Sequence, residues 1–108
     1  GNPEIESEMK GLIEADAVIH VKPNTKYPAV YFQAGINDPR VPSWMSGKMA
    51  ATLQANSTSG KPVLLYTYFE GGHNADANAA TAIDKWRTSL KMIFFLLWQS
   101  GHKDFQSK

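Results

Sequence analysis

Cysteine is absent from the 108-residue sequence, which excludes disulfides, thiolate zinc sites and a cysteine nucleophile. A charge excess is also lacking, because 11 lysine and arginine residues face 10 acidic ones and the formal net charge is +1. No nucleic acid is therefore expected as a partner. No apolar run approaches the roughly 20 residues of a membrane helix, so no membrane is expected either. The lack of cysteine leaves the redox compartment open, and no localisation is predicted.

Apolar residues make up 43% of the chain and aromatic residues 11%, which is enough for a packed core. Their spacing predicts a helix over 4–15, with Asn2 or Pro3 just before it as the start signal, and strands over 27–36 and 62–70. Between the strands, a helix is predicted to open at Pro42 with Ser43 as its cap. The last helix contains the apolar repeat of 83–97 and ends at a glycine cap, Gly101. In the middle helix the predicted buried stripe consists of Trp44, Met45, Met49 and Leu53.

The order helix, strand, helix, strand, helix predicts an α/β fold in which the two strands run parallel. Each strand begins as a continuous apolar run, which is typical of a strand buried on both faces. A sheet of two strands is only marginally stable by itself in water. We therefore interpret residues 1–108 as part of a larger domain, whose other strands come from the rest of the protein or from a second copy.

Both predicted strands end in loops that carry titratable residues, Asp38 and Arg40 in the first and His73 in the second. Because adjacent parallel strands end at one edge of a sheet, we expect Asp38 and His73 within hydrogen-bond reach. A carboxylate that holds an imidazole is typical of a nucleophilic triad, and acid before histidine is the order found in α/β-hydrolases. Ordinary Asp-Pro turn chemistry and an inert Gly-Gly-His loop fit the same pattern, so spacing alone leaves both interpretations open.

Four segments carry a resemblance to a known family: YPAVYFQAGINDPRVP, KMAATLQ, KPVLLYTYFEGGH and the closing FFLLWQ. In order and spacing they resemble the C-terminal part of the catalytic domain of the prolyl oligopeptidase family of serine peptidases. The resemblance implies a fragment of an α/β-hydrolase fold with no cofactor. It implies that Asp38 is the catalytic acid and His73 the catalytic base. Arg40 matches an arginine that binds a substrate carbonyl; a salt bridge that braces the acid loop is the alternative for Arg40.

The sequence departs from the family pattern in two places. Asn74 stands where glycine commonly follows the histidine, and no Gly-x-Ser-x-Gly nucleophile elbow occurs in the 108 residues. The resemblance implies short peptide substrates, cleavage after proline, and a β-propeller that precedes the catalytic domain. Without the serine, we predict that residues 1–108 have no peptidase activity by themselves.

Two rival functions remain open on the sequence. One is another α/β-hydrolase, an esterase or a different exopeptidase, that shares the acid and histidine loops. The other is a non-enzymatic module that forms homo-oligomers through an exposed sheet edge. Trp44, Trp86 and Trp98 are expected in the core or at a domain contact, and Trp98 is placed on the side that faces a partner.

Overall fold

The computed structural model describes residues 1–69, 71–73 and 82–106, without the side chains of 82–85. Its elements follow the predicted order and form a small α/β arrangement. They are α1 (Glu6–Ala15), β1 (Val30–Gly35), α2 (Ser43–Asn56), β2 (Val63–Tyr68), α3 (Ala82–Gln99) and a short 3₁₀ helix (Lys103–Phe105). No helix of the described part is long and apolar enough to cross a membrane.

The two strands pair in parallel, as the order of elements predicts. The register runs from Val30 opposite Val63 to Gly35 opposite Tyr68, so both strands end at the same edge of the sheet. Both are shorter than predicted. Pro28 and Pro62 lie before the first ladder residues and have no N–H to donate, so regular pairing begins after them. The carbonyl of Pro62 still accepts a hydrogen bond from the N–H of Val30 at 3.0 Å.

The core lies between α2 and one face of the sheet and contains Ala50, Leu53 and Val63. The predicted stripe of α2 is only partly right: Leu53 is buried, but Trp44 is 64% exposed and Met45 47%. Instead the helix turns its small residues toward the sheet. A Cβ placed on Gly47 would lie 3.8 Å from the Leu65 side chain, an ordinary contact, so this part of the helix faces β2. Ser43 is the first helical residue rather than the cap.

The other face of the sheet is covered loosely by α3. The Tyr31 and Phe95 rings stack at 5.5 Å, and the Lys91 ammonium lies 3.3 Å from the centre of the Tyr66 ring. Leu64, Leu65 and Tyr66 all stay exposed. The expectation of strands buried on both faces is therefore wrong for β2, and β1 meets it only in part, because Val30, Tyr31 and Phe32 are half-buried. Two strands and two helices offer too few neighbours to cover both faces.

The helix ends show how local sequence sets the boundaries. At the end of α3, Gly101 has φ +79°, and the N–H groups of Gly101 and His102 donate to the carbonyls of Trp98 and Leu97. This is the glycine-capped motif predicted for that helix. The α1 helix begins at Glu6, two residues later than predicted, because the side chain of Asn2 accepts from the N–H of Glu4 and holds a turn there.

Of the two places predicted for the tryptophans, the core or a domain contact, the core is wrong for two of them. Trp44 and Trp86 are among the most exposed large side chains and contribute nothing to the core of the described residues. Trp98 is 38% exposed, and its ring meets Phe95 edge-on at 6.4 Å. The described residues leave Trp44 and Trp86 largely uncovered, so a domain contact stays the prediction for them.

Candidate active site

The carboxyl ends of β1 and β2 bring two loops together. Asp38 follows the last residue of β1 by three positions, and His73 follows the last residue of β2 by five. The Nδ1 atom of His73 lies 2.9 Å from Oδ2 and 3.1 Å from Oδ1 of Asp38. Residues 35 positions apart in the chain thus meet, as the parallel pairing predicts.

The carboxylate of Asp38 is fixed by its own loop. Its Oδ1 accepts the backbone N–H groups of Arg40 at 2.8 Å and Val41 at 3.0 Å. Its backbone N–H donates to the carbonyl of Gly35 at 3.2 Å, which closes a turn at the end of β1. With its side chain only 9% exposed, the acid is held in one orientation before any substrate arrives.

Two opposing effects act on the pKa of Asp38. Partial burial raises it, whereas the hydrogen bonds from the Val41 and Arg40 backbone and the pairing with His73 lower it. The net result is a pKa below the ordinary value of 3.8, so Asp38 is ionised at neutral pH. A carboxylate can only accept hydrogen bonds, so the shared proton sits on Nδ1 of His73.

This tautomer decides what His73 can do. With Nδ1 protonated and bound to the acid, Nε2 carries a lone pair that can accept a proton. The His73 side chain is 40% exposed, so another group can reach it. The pair therefore has the geometry of a general base with its orienting acid.

The two loops approach each other closely because glycine lines the contact. A Cβ on Gly35 would overlap the carbonyl oxygen of Gly72 and lie 2.6 Å from that of Gly71. The N–H of Asn37 donates to the Gly71 carbonyl at 3.1 Å, and the Asn37 side chain donates to the carbonyl of Phe69 at 3.2 Å. Sequence reasoning missed these contacts. Glycine at the end of one strand and a glycine pair after the other was the signal of a close approach.

The other predicted site residues have simpler outcomes. Arg40 is exposed, and its backbone, rather than its side chain, contacts Asp38. No carboxylate of the described residues pairs with its guanidinium, so its substrate-binding role stays a prediction. Asn74 lies outside the described residues. Over the described ranges no three His, Asp or Glu side chains cluster in a way that could hold a metal ion.

Comparison with known proteins gives one match. The family model described as the prolyl oligopeptidase family matches residues 1–100. Neither the curated proteins nor the solved structures gave a significant match. The family match covers both loops of the site and nearly the whole chain.

Proposed function

Because this chain belongs to the prolyl oligopeptidase family, we propose that it supplies the acid and the base of the catalytic triad of a serine peptidase. Asp38 is the acid and His73 the base. The observation that carries the proposal is the hydrogen bond between His73 Nδ1 and the Asp38 carboxylate, at the edge where two parallel strands end. Functional groups gather at that edge in open parallel sheets.

The proposed reaction gives the two nitrogens of His73 different roles. Nε2 accepts the proton of a serine hydroxyl while the serine oxygen forms a bond to the peptide carbonyl carbon. Asp38 stabilises the imidazolium that results, because its carboxylate already holds Nδ1–H at 2.9 Å. Nε2 then gives the proton to the leaving amine as the C–N bond breaks. In the second half of the reaction a water molecule takes the place of the serine hydroxyl as nucleophile, and the peptide product with its new carboxyl group leaves the serine. Arg40, exposed beside the acid, is proposed to bind a carbonyl of the peptide.

The nucleophile is proposed to lie in a part of the parent protein outside these 108 residues. The sequence contains no Gly-x-Ser-x-Gly, so the elbow that would present the serine and help to build the oxyanion hole is not in this chain. Residues 1–108 would then form one part of an α/β-hydrolase catalytic domain, which a β-propeller precedes. Short peptides cleaved after proline are the substrates that family membership supports.

The exposed surface of the chain supports the proposal that residues 1–108 are one part of a larger domain. Its accessible area is 7940 Å², whereas a compact monomer of this mass exposes about 5,900 Å². Several large apolar side chains contribute to this surface: Phe69, Trp86, Leu96 and Trp44 are each more than half exposed. Apolar surface on this scale is typical of a face that another unit covers.

Both strands of the described sheet have one edge without a partner strand. An unpaired edge exposes a row of N–H and C=O groups that can pair with another chain. We propose that in the parent protein a further strand of the catalytic domain pairs with one of these edges. In the separate chain a second copy is the alternative partner.

The 108-residue chain alone is expected to show no turnover of a chromogenic prolyl peptide, because it has a base and an acid but no positioned nucleophile. The longer parent protein, with the preceding segment restored, is expected to cleave the same substrate. Rates of both are measured side by side at equal concentration. Hydrolysis by the chain alone that disappears in His73→Ala would contradict the proposed division. If the parent cleaves only simple esters, the esterase alternative is correct.

A further inference from the structure

Asn37 connects the acid loop to the segment that carries His73. Its backbone N–H donates to the carbonyl of Gly71 at 3.1 Å, and its side-chain Nδ2 donates to the carbonyl of Phe69 at 3.2 Å. The preceding N–H, that of Ile36, donates to the carbonyl of Tyr68 at 2.9 Å. Three donors on two adjacent residues thus hold three carbonyls, one on the last residue of β2 and two between β2 and His73.

The Asn37 side chain is one of two that connect the acid loop to the segment carrying His73. Among the side chains of residues 36–41, those of Asn37 and Asp38 form hydrogen bonds with described residues of 69–73. The Asp38 carboxylate is already fixed by the N–H groups of Arg40 and Val41 in its own loop. The distance between the two side chains therefore depends on how the segment that carries His73 is held. In that segment the Phe69 carbonyl is bound by the Asn37 side chain rather than by a hydrogen bond between strands.

We propose that Asn37 is a positioning residue for the Asp38–His73 pair. By holding Phe69 and Gly71, it keeps the His73 ring at hydrogen-bond distance from the acid. The inference deepens the proposed function and rests on it only for the consequence in catalysis. The effect on the His73 ring is a property of the 108-residue chain alone.

The expected effect of Asn37→Ala is that of losing one exposed side-chain hydrogen bond. Asn37 is exposed, and the hydrogen bond of its backbone N–H remains when the side chain is shortened to alanine. Loss of such a bond changes an equilibrium by about 5-fold. Asn37→Ala is therefore expected to reduce the ratio of chains with His73 bound to Asp38 to chains with His73 released by about that factor. In the parent enzyme kcat is expected to fall by at most the same factor with KM unchanged, because the side chain is not proposed to touch substrate.

The test is the NMR signal of the His73 Nδ1–H in the 108-residue chain, compared among three variants. Asn37→Ala removes the donor, and Asn37→Asp keeps the size but turns an oxygen toward the Phe69 carbonyl. Gln33→Ala is the matched control, because it removes another exposed 3.2 Å side-chain hydrogen bond from β1, that to Tyr31. We expect faster exchange of the proton with water in both Asn37 variants, more so in Asn37→Asp, and no change in Gln33→Ala.

Two results would overturn the inference. One is an unchanged Nδ1–H signal in both Asn37 variants. The other is an equal loss of all folded signals, including those of α2 and β2, which would make Asn37 a general stabiliser. If the His73 signal responds as expected but the parent protein cleaves no peptide, positioning by Asn37 stands and the proposed peptidase function fails.

Discussion

Replacement of His73 by alanine is expected to lower kcat of the parent protein on a prolyl peptide by about 10⁴-fold or more. The alanine variant lacks the imidazole that takes the serine proton, and what activity remains comes from substrate binding and the oxyanion hole. The measurement is the steady-state rate at saturating substrate. Asp38→Asn is expected to lose about 10³- to 10⁴-fold, because an amide no longer stabilises the imidazolium.

His20→Ala is the control for this pair of variants. His20 is also exposed and lies five residues after α1, and its Nε2 is 2.8 Å from the carbonyl oxygen of Glu14 in that helix. Its replacement removes an imidazole without touching the acid or histidine loop, so wild-type activity is expected. Retention of more than about a tenth of kcat by His73→Ala would show that another base carries the reaction.

Replacement of Gly35 by alanine is expected to destabilise the chain by about 3 kcal/mol, the upper part of the range for overpacking. The added methyl would overlap the carbonyl of Gly72 and approach that of Gly71 to 2.6 Å. Both are backbone atoms that cannot rotate away. The two loops must therefore separate, which also breaks the contact between Asp38 and His73. Urea unfolding followed by circular dichroism measures the loss.

Gly47→Ala is the matched control for the same substitution. In α2 the new methyl would lie 3.8 Å from the Leu65 side chain, an ordinary contact. Alanine is favoured over glycine in a helix interior by about 1 kcal/mol, so this variant is expected to be more stable than the wild type. Equal stability of Gly35→Ala and wild type would mean that the loops do not meet as closely as described.

The sequence predicts the topology of this chain well because the signals are local. Apolar runs of strand length, a helix of sufficient length between them and the glycine cap at Gly101 each specify one element. The order of those elements then requires a parallel pair, and the pair brings Asp38 and His73 to one edge. Membership of the prolyl oligopeptidase family, inferred from the same segments, is confirmed by the match over residues 1–100.

Burial was harder to predict because it depends on what surrounds an element. Trp44 and Met45 match the helical spacing of a buried stripe, yet α2 presents Gly47 and Ala50 to the sheet, since small residues allow closer packing. Leu64 and Leu65 look like part of a doubly buried strand but are only partly covered by the described residues. The role of Asn37 could not be predicted either, because its partners are backbone carbonyls with no signal in the sequence.

The central claim is that the Asp38 carboxylate holds His73 in the tautomer that a general base needs. Nitrogen-15 NMR of the histidine ring in the 108-residue chain at neutral pH tests it most directly. The account predicts a slowly exchanging proton on Nδ1 and an unprotonated Nε2 for His73, with both features lost in Asp38→Ala. A proton on Nε2 instead, or a ring spectrum identical in wild type and Asp38→Ala, would contradict it.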